Sequence, residues 1–451
     1  MSAPVISYQE GDLVYTSTDA ARPAFPQFVT SHSWNEREFL TTEDTPLNKR
    51  HFMYQPCAPN PLLTQMKYCT SEYPYECSGI NTMDRSDMLA MERGSNDCVS
   101  VPASCGWRSG RCDVCLKEGM VYWEIELLAG GGSAAGEGED EKKNHQQALN
   151  STPHVRFGIC RRECSLETPV GSDFYGYGIR DNRVESVHDG KLSQVLPPTR
   201  LKPGDRIGLL LKLPSFDEQY EQAMEYTNYK VQALSVSSGN SELAKKRNKS
   251  TNKEFQKALL RNHDPKNIIR DQIAIRYKNQ LFFESTDYVR TTKPDYYTSD
   301  NRERTDFYRL KDSYLKVFLN GKELGNAFEG LQPFLPPFSE LNYNEKFYMN
   351  HWKSHSETTP SRETDRNSIL KNKYTNNGRL GYYPMVSCFN GGVVRIITRK
   401  KELQYWNSAV DEAVQRVYTL EELHQQQTAE DVALDIIDEL ELEAIYGTLK
   451  G

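Results

Sequence analysis

The chain has 451 residues, is 37% hydrophobic and carries a formal charge of −7, with a mean hydropathy of −0.71. That length allows two or three ordinary domains, but the polarity argues against so much packed core and favours one sandwich with polar insertions. No stretch approaches the ~18 apolar residues of a membrane span. No basic region followed by an apolar core opens the chain, so a soluble nuclear or cytosolic protein without membrane partners is expected.

Residues 1–45 mix Ser, Thr, Pro and acidic side chains without a sustained period and read as a mobile leader. Phe52, Tyr54, Pro56 and Pro59 then mark extended entry segments of a sandwich spanning 46–406. Strand-length runs rich in β-branched and aromatic residues follow at Gly106–Arg108, Val121–Glu126, Val155–Ile159, Tyr175–Arg180, Gly204–Leu209 and Val317–Lys322. Later runs are Gln280–Glu284, Tyr382–Ser387 and Gly392–Ile397. Asn320-Gly321 between two apolar runs predicts a two-residue hairpin turn, because both central positions of such a turn need positive φ. Polar insertions are expected near 130–152, 216–270, 286–312 and 340–378, the second carrying the basic run Lys245–Lys249. A solvated charge run is the commoner reading of that segment, with nuclear import or nucleic-acid contact the alternative.

After Trp406 the period lengthens to about 3.6 and the segment 407–451 reads as a helical tail. A helix is predicted over 428–446, with Thr428 as N-cap and Gly447 as stop. It gathers Val432, Ala433, Ile436, Ile437 and Leu440 into one stripe and sets Asp431, Asp435, Asp438, Glu439 and Glu441 on the other side. Residues 420–451 hold nine acidic side chains and one Lys, so the rest of the chain is near neutral and any basic surface on it is local.

Nine of the ten cysteines precede residue 165. Cys112, Cys115, Cys160 and Cys164 total the ligands of a zinc site, but if their segment is a strand, alternation sends Cys112 and Cys115 to opposite faces, and no His follows at finger spacing. Reduced, partly buried thiols are the preferred reading, and no metal or cofactor is assigned. There is no nucleophile elbow, P-loop, zinc-protease helix or paired-carboxylate motif, and His154 and His188 lie near no evident nucleophile. The best site candidate is a positive, aromatic-edged patch of Trp107, Arg156, Pro169 and Arg180, with Arg183 close by in sequence. The planar fork of Arg suits a carboxylate, and an indole beside it lowers the local dielectric.

From Trp107 through Ile179, at Pro203-Gly204-Asp205 and at Phe318–Lys322, the chain resembles the SPRY (B30.2) antiparallel β-sandwich of the Ash-two and Bre-two family. Its long polar insertions resemble those of the family's fungal branch. The tail segment Asp431–Glu441 is similar to the family's C-terminal amphipathic helix. The resemblance implies a non-catalytic subunit of a COMPASS-type SET-domain histone H3 lysine-4 methyltransferase complex. It implies that Trp107, Arg156, Pro169, Arg180 and the adjacent Arg183 grip an acidic segment of a WD-repeat subunit. It further implies that Val432, Ala433, Ile436, Ile437 and Leu440 dock a Dpy-thirty or Sdc-one type dimer. Nucleosome contact is left open. Ser172 stands where the family can have Tyr, and Asn182 where it can have Lys, which implies a smaller or less basic pocket. The competing reading is a SPRY-type substrate receptor of a ubiquitin ligase, although no RING ladder or cullin-box helix accompanies it.

Overall fold

The computed structural model describes residues 28–42, 52–59, 79–131, 152–236, 272–277, 280–288, 308–336, 378–410 and 416–449, with a few isolated positions between them. Two mainly antiparallel sheets form its frame. The larger runs from edge to edge through Phe28–Trp34, Arg37–Thr42, Ala90–Glu92, Cys98–Ser100, Val393–Ile397, Gly119–Ala129, Arg206–Leu213, Tyr314–Leu319 and Lys322–Glu329. The smaller runs through Lys191–Ser193, Ser186–His188, Gly176–Arg180, His154–Cys160, Tyr383–Phe389, Arg108–Cys112 and Ile80–Arg85.

The strand alternation explains why these sheets face each other. Val121, Trp123, Ile125 and Leu127 of the large sheet share one core with Val155, Phe157, Ile159 and Ile179 of the small sheet. Each such side chain gains roughly 1.5–3 kcal/mol from burial. Tyr122 projects from the opposite face and is covered by Trp406, with Leu210 and Phe318 beside it. The expected hairpin turn has Asn320 at φ 50° and Gly321 at φ 81°, the positive values that favour this dipeptide. Phe52–Pro56 joins Gln280–Tyr288 and Gln272–Tyr277 in a separate sheet, where the rings of Tyr54 and Phe282 meet edge to face.

Several sequence boundaries move. The leader predicted for 1–45 contains a hairpin, Phe28–Trp34 with Arg37–Thr42, whose second strand extends the large sheet and buries Phe39 completely. Its Ser, Thr and charged residues are spread over both faces, with Thr42 buried and Phe28 exposed, so the sequence shows no clear alternation. Residues 216–236, inside the second predicted insertion, form a helix, with Ala223 buried and the Gln219 amide bonded to the carbonyls of Lys117 and Pro214. Val417–Thr419, assigned to the tail, is a strand pairing parallel to Gly119–Ala129, so the sandwich reaches past 406. The tail helix begins at Leu420, not 428, and runs to Leu449. Its cap is Thr419: the Thr419 hydroxyl accepts from the Glu422 N–H at 3.2 Å, and the Glu422 carboxylate accepts from the Thr419 N–H at 2.9 Å. That reciprocal box outcompetes Thr428, which lies inside the helix. The basic run Lys245–Lys249 lies outside the described residues.

Candidate functional site

Strand His154–Cys160 lies between Tyr383–Phe389 and Gly176–Arg180, with Arg156 opposite Ser387 on one side and Arg180 on the other. Because Val155 and Phe157 point into the core, Arg156 projects from the outer face. One end of that face is covered by the segment after Cys160, where Cys164, Leu166, Val170 and Tyr175 pack with Cys160, Tyr383 and Met385. The Val170 N–H donates to Ser387 Oγ at 3.0 Å, and Val170 lies over Gly178, where any Cβ would sit 2.2 Å from the Val170 carbonyl oxygen. The uncovered end is the candidate site.

There the Arg156 guanidinium lies over the Trp107 ring, 5.1 Å from its centroid, and Trp107 in turn leans on Phe389 at 5.2 Å. Arg156 Nε is buried without a hydrogen-bond partner, and Arg156 has no ion pair among the described residues. Burial, reinforced by the positive charge of Arg180, pushes its pKa down to about 10. Arg180 differs: its Nη1 lies 2.9 Å from Glu185 Oε2. The cluster therefore holds Arg180 in an ion pair and Arg156 in none among the described residues, with Asp181 and Glu185 offsetting its charge only in part and the Trp107 ring against it. Such a surface suits an acidic side chain that brings its own counter-charge.

The structure thus brings Trp107, Arg156 and Arg180 together. Pro169 is buried in the adjoining turn, where its carbonyl accepts from the Ser172 N–H at 3.1 Å, so it shapes the rim. Arg183 is exposed in the turn after Gly176–Arg180 and makes no ion pair with these residues. Sequence reasoning missed Phe389, Glu185 and Ser387, and only the strand pairing could have revealed them. Cys112 ends its strand and faces the main core, while Cys115, beyond the strand, packs under the covered outer face, so strand alternation does not govern the pair. Among the described residues, no three His, Cys, Asp or Glu side chains are placed to hold a metal ion.

The tail presents a second surface. Ile436, Ile437 and Leu440 are 49%, 49% and 58% exposed, Ala433 is exposed and Val432 half-buried. On the acidic side, Asp435 and Glu439 are buried at 2% and 6% exposure, Asp431 and Asp438 are half-buried and Glu441 is exposed. The buried pair belongs to the i, i+4 row Gln427, Asp431, Asp435, Glu439. That row carries polar partners for the body, including an ion pair of Asp431 with Arg379. The helix thus turns its polar row inward and its apolar stripe to solvent, the reverse of an ordinary surface helix.

No family model matches the chain. It is 48% identical over 503 aligned positions to the COMPASS component BRE2 of Saccharomyces cerevisiae, an alignment covering 98% of this chain and 99% of that protein. It is 26% identical to the COMPASS component cclA of Emericella nidulans, covering 94% of this chain and 63% of the relative. With the Set1 complex component ash2 of Schizosaccharomyces pombe the identity is 28%, over 93% of this chain and 50% of the relative. Among solved structures, the SPRY domain of human HERC1 matches with 10% identity and a TM-score of 0.29, over 71% of this chain and 97% of that domain.

Proposed function

The chain belongs to the family of COMPASS components that includes yeast BRE2, and on that premise we propose that it is a non-catalytic scaffold of a SET-domain histone H3 lysine-4 methyltransferase, acting in the nucleus. The sandwich holds an acidic segment of a WD-repeat subunit, and the tail helix holds a Dpy-thirty or Sdc-one type dimer. The methyl donor, S-adenosylmethionine, is bound by the catalytic subunit.

The observation that carries the first contact is Arg156, a half-buried cation whose buried Nε has no hydrogen-bond partner and which makes no ion pair among the described residues, held against Trp107 beside Arg180. The two guanidinium groups sit on paired strands at one register position, a spacing that suits charge-assisted bonds to one acidic segment. The second contact is supported by the outward stripe of Ile436, Ile437 and Leu440. An apolar helix face of this kind fits a hydrophobic groove between partner helices.

Affinity capture of the full chain from nuclear extract, followed by mass spectrometry, tests the assignment. WD-repeat and SET-domain proteins are expected in stoichiometric yield with the small dimer. Recovery of cullin-type components in their place would overturn it.

A further inference from the structure

We propose that the inward row of the tail helix is a polar latch that fixes the direction of the exposed apolar stripe relative to the sandwich, with Arg379 and Gln427 as its positioning residues. This rests on reading the stripe as the dimer-binding surface, but the latch itself is a property of the chain alone.

The contacts are specific. The Gln427 amide exchanges two hydrogen bonds with the backbone of Cys115: Nε2 donates to the carbonyl at 2.6 Å, and Oε1 accepts from the N–H at 3.1 Å. This copies the bonding of one β-ladder step and ties helix to sandwich at a single register. One turn further, Asp431 pairs with Arg379, whose Nη1 also reaches Gln427 Oε1 at 3.4 Å. Arg379 is itself held, because its carbonyl accepts from the Tyr383 hydroxyl at 2.6 Å and that hydroxyl accepts from Arg162 Nε at 2.9 Å. The helix flanks add Lys117 to Glu430 at 3.4 Å. None of these side chains belongs to the apolar stripe. The latch therefore sets where a bound dimer sits and leaves its affinity to Ile436, Ile437 and Leu440.

Hydrogen exchange of the full chain, free and with the dimer, tests the latch. Arg379→Ala and Gln427→Ala cut it from opposite sides, and each should speed exchange of the helix amides between Leu423 and Leu434 by roughly tenfold or more, the scale of losing one buried charged or paired hydrogen bond. Arg379→Lys, which keeps the charge, should recover most of the protection. Dimer affinity by calorimetry should stay within about twofold in all three variants, while stimulation of methylation by the dimer-loaded complex falls. Unchanged exchange in both alanine variants would overturn the latch, as would a loss of dimer affinity matching that of stripe variants. If the unaltered chain fails to bind the dimer, the partner assignment falls, while the exchange result still decides the latch.

Discussion

Replacing Arg156 by Met should make the free protein more stable and the complex weaker. In the free chain Arg156 is charged, buried at Nε without an acceptor, and opposed by Arg180 across the strand. A guanidinium held at about 10 instead of 12.5 pays about 3 kcal/mol for its charge at neutral pH, at ~1.4 kcal/mol per tenfold. Met keeps the apolar stem and gives up the contact with Trp107, worth about 0.5–1 kcal/mol. Partial solvent access reduces the gain further, so a net stabilisation of about 1–2 kcal/mol is expected. Thermal melts should show the midpoint rising by ~2–4 °C per kcal/mol. Calorimetry against the acidic segment of the WD-repeat subunit should show a loss of about 2 kcal/mol or more, some 30-fold in affinity, since a desolvated charge pair is removed. A variant that melts lower and binds the segment as tightly as before would show Arg156 to be a structural residue.

The double substitution Ile436→Glu with Leu440→Glu should abolish co-purification of the dimer and leave the WD-repeat contact intact, because burial worth roughly 1.5–3 kcal/mol per side chain is replaced by charge. Gly178→Ala should push the Pro169–Gly171 turn off the sheet, since its Cβ would meet the Val170 carbonyl oxygen at 2.2 Å. It should destabilise by about 1–3 kcal/mol and weaken acidic-segment binding, whereas Gly106→Ala, with its nearest neighbour Arg108 Nη1 at 3.8 Å, should do neither. Burial lowers the pKa of His424 and of His188 below 6.5, and Arg379 lowers that of His424 further. The unfolded chain therefore binds more protons between the folded and unfolded values, and stability present above pH 6.5 should fall as the pH drops toward the folded values. Melts at about pH 7.5 and about pH 5.5 should show this decline, and His424→Gln should reduce it.

The sandwich was legible because several of its central strands carry clear alternation. Val121, Trp123 and Ile125 and their partners Val155 and Phe157 announce both period and face. The N-terminal hairpin was not, since one buried Phe39 among Ser, Thr and charged residues is too little pattern to read. Residues 216–236 show weak amphipathy, so the helix is held by Gln219 and Ala223 contacts that no local period reveals. At the candidate site, Trp107, Arg156 and Arg180 were legible through the family resemblance. That Arg180 is paired with Glu185 and Arg156 makes no ion pair among the described residues depends on geometry. The inverted tail helix is the clearest limit. Asp431 lies 52 positions from Arg379, and with no partner in view a carboxylate row reads as a wet face.

The central claim, that this chain is a scaffold raising the activity of a SET-domain subunit, is tested most directly by methylation of histone H3 by the reconstituted complex with and without the full chain. The account predicts markedly faster lysine-4 methylation when the chain is present, with no binding of S-adenosylmethionine by the isolated chain. Equal rates in both reactions, or methyl-donor binding by this chain alone, would contradict it.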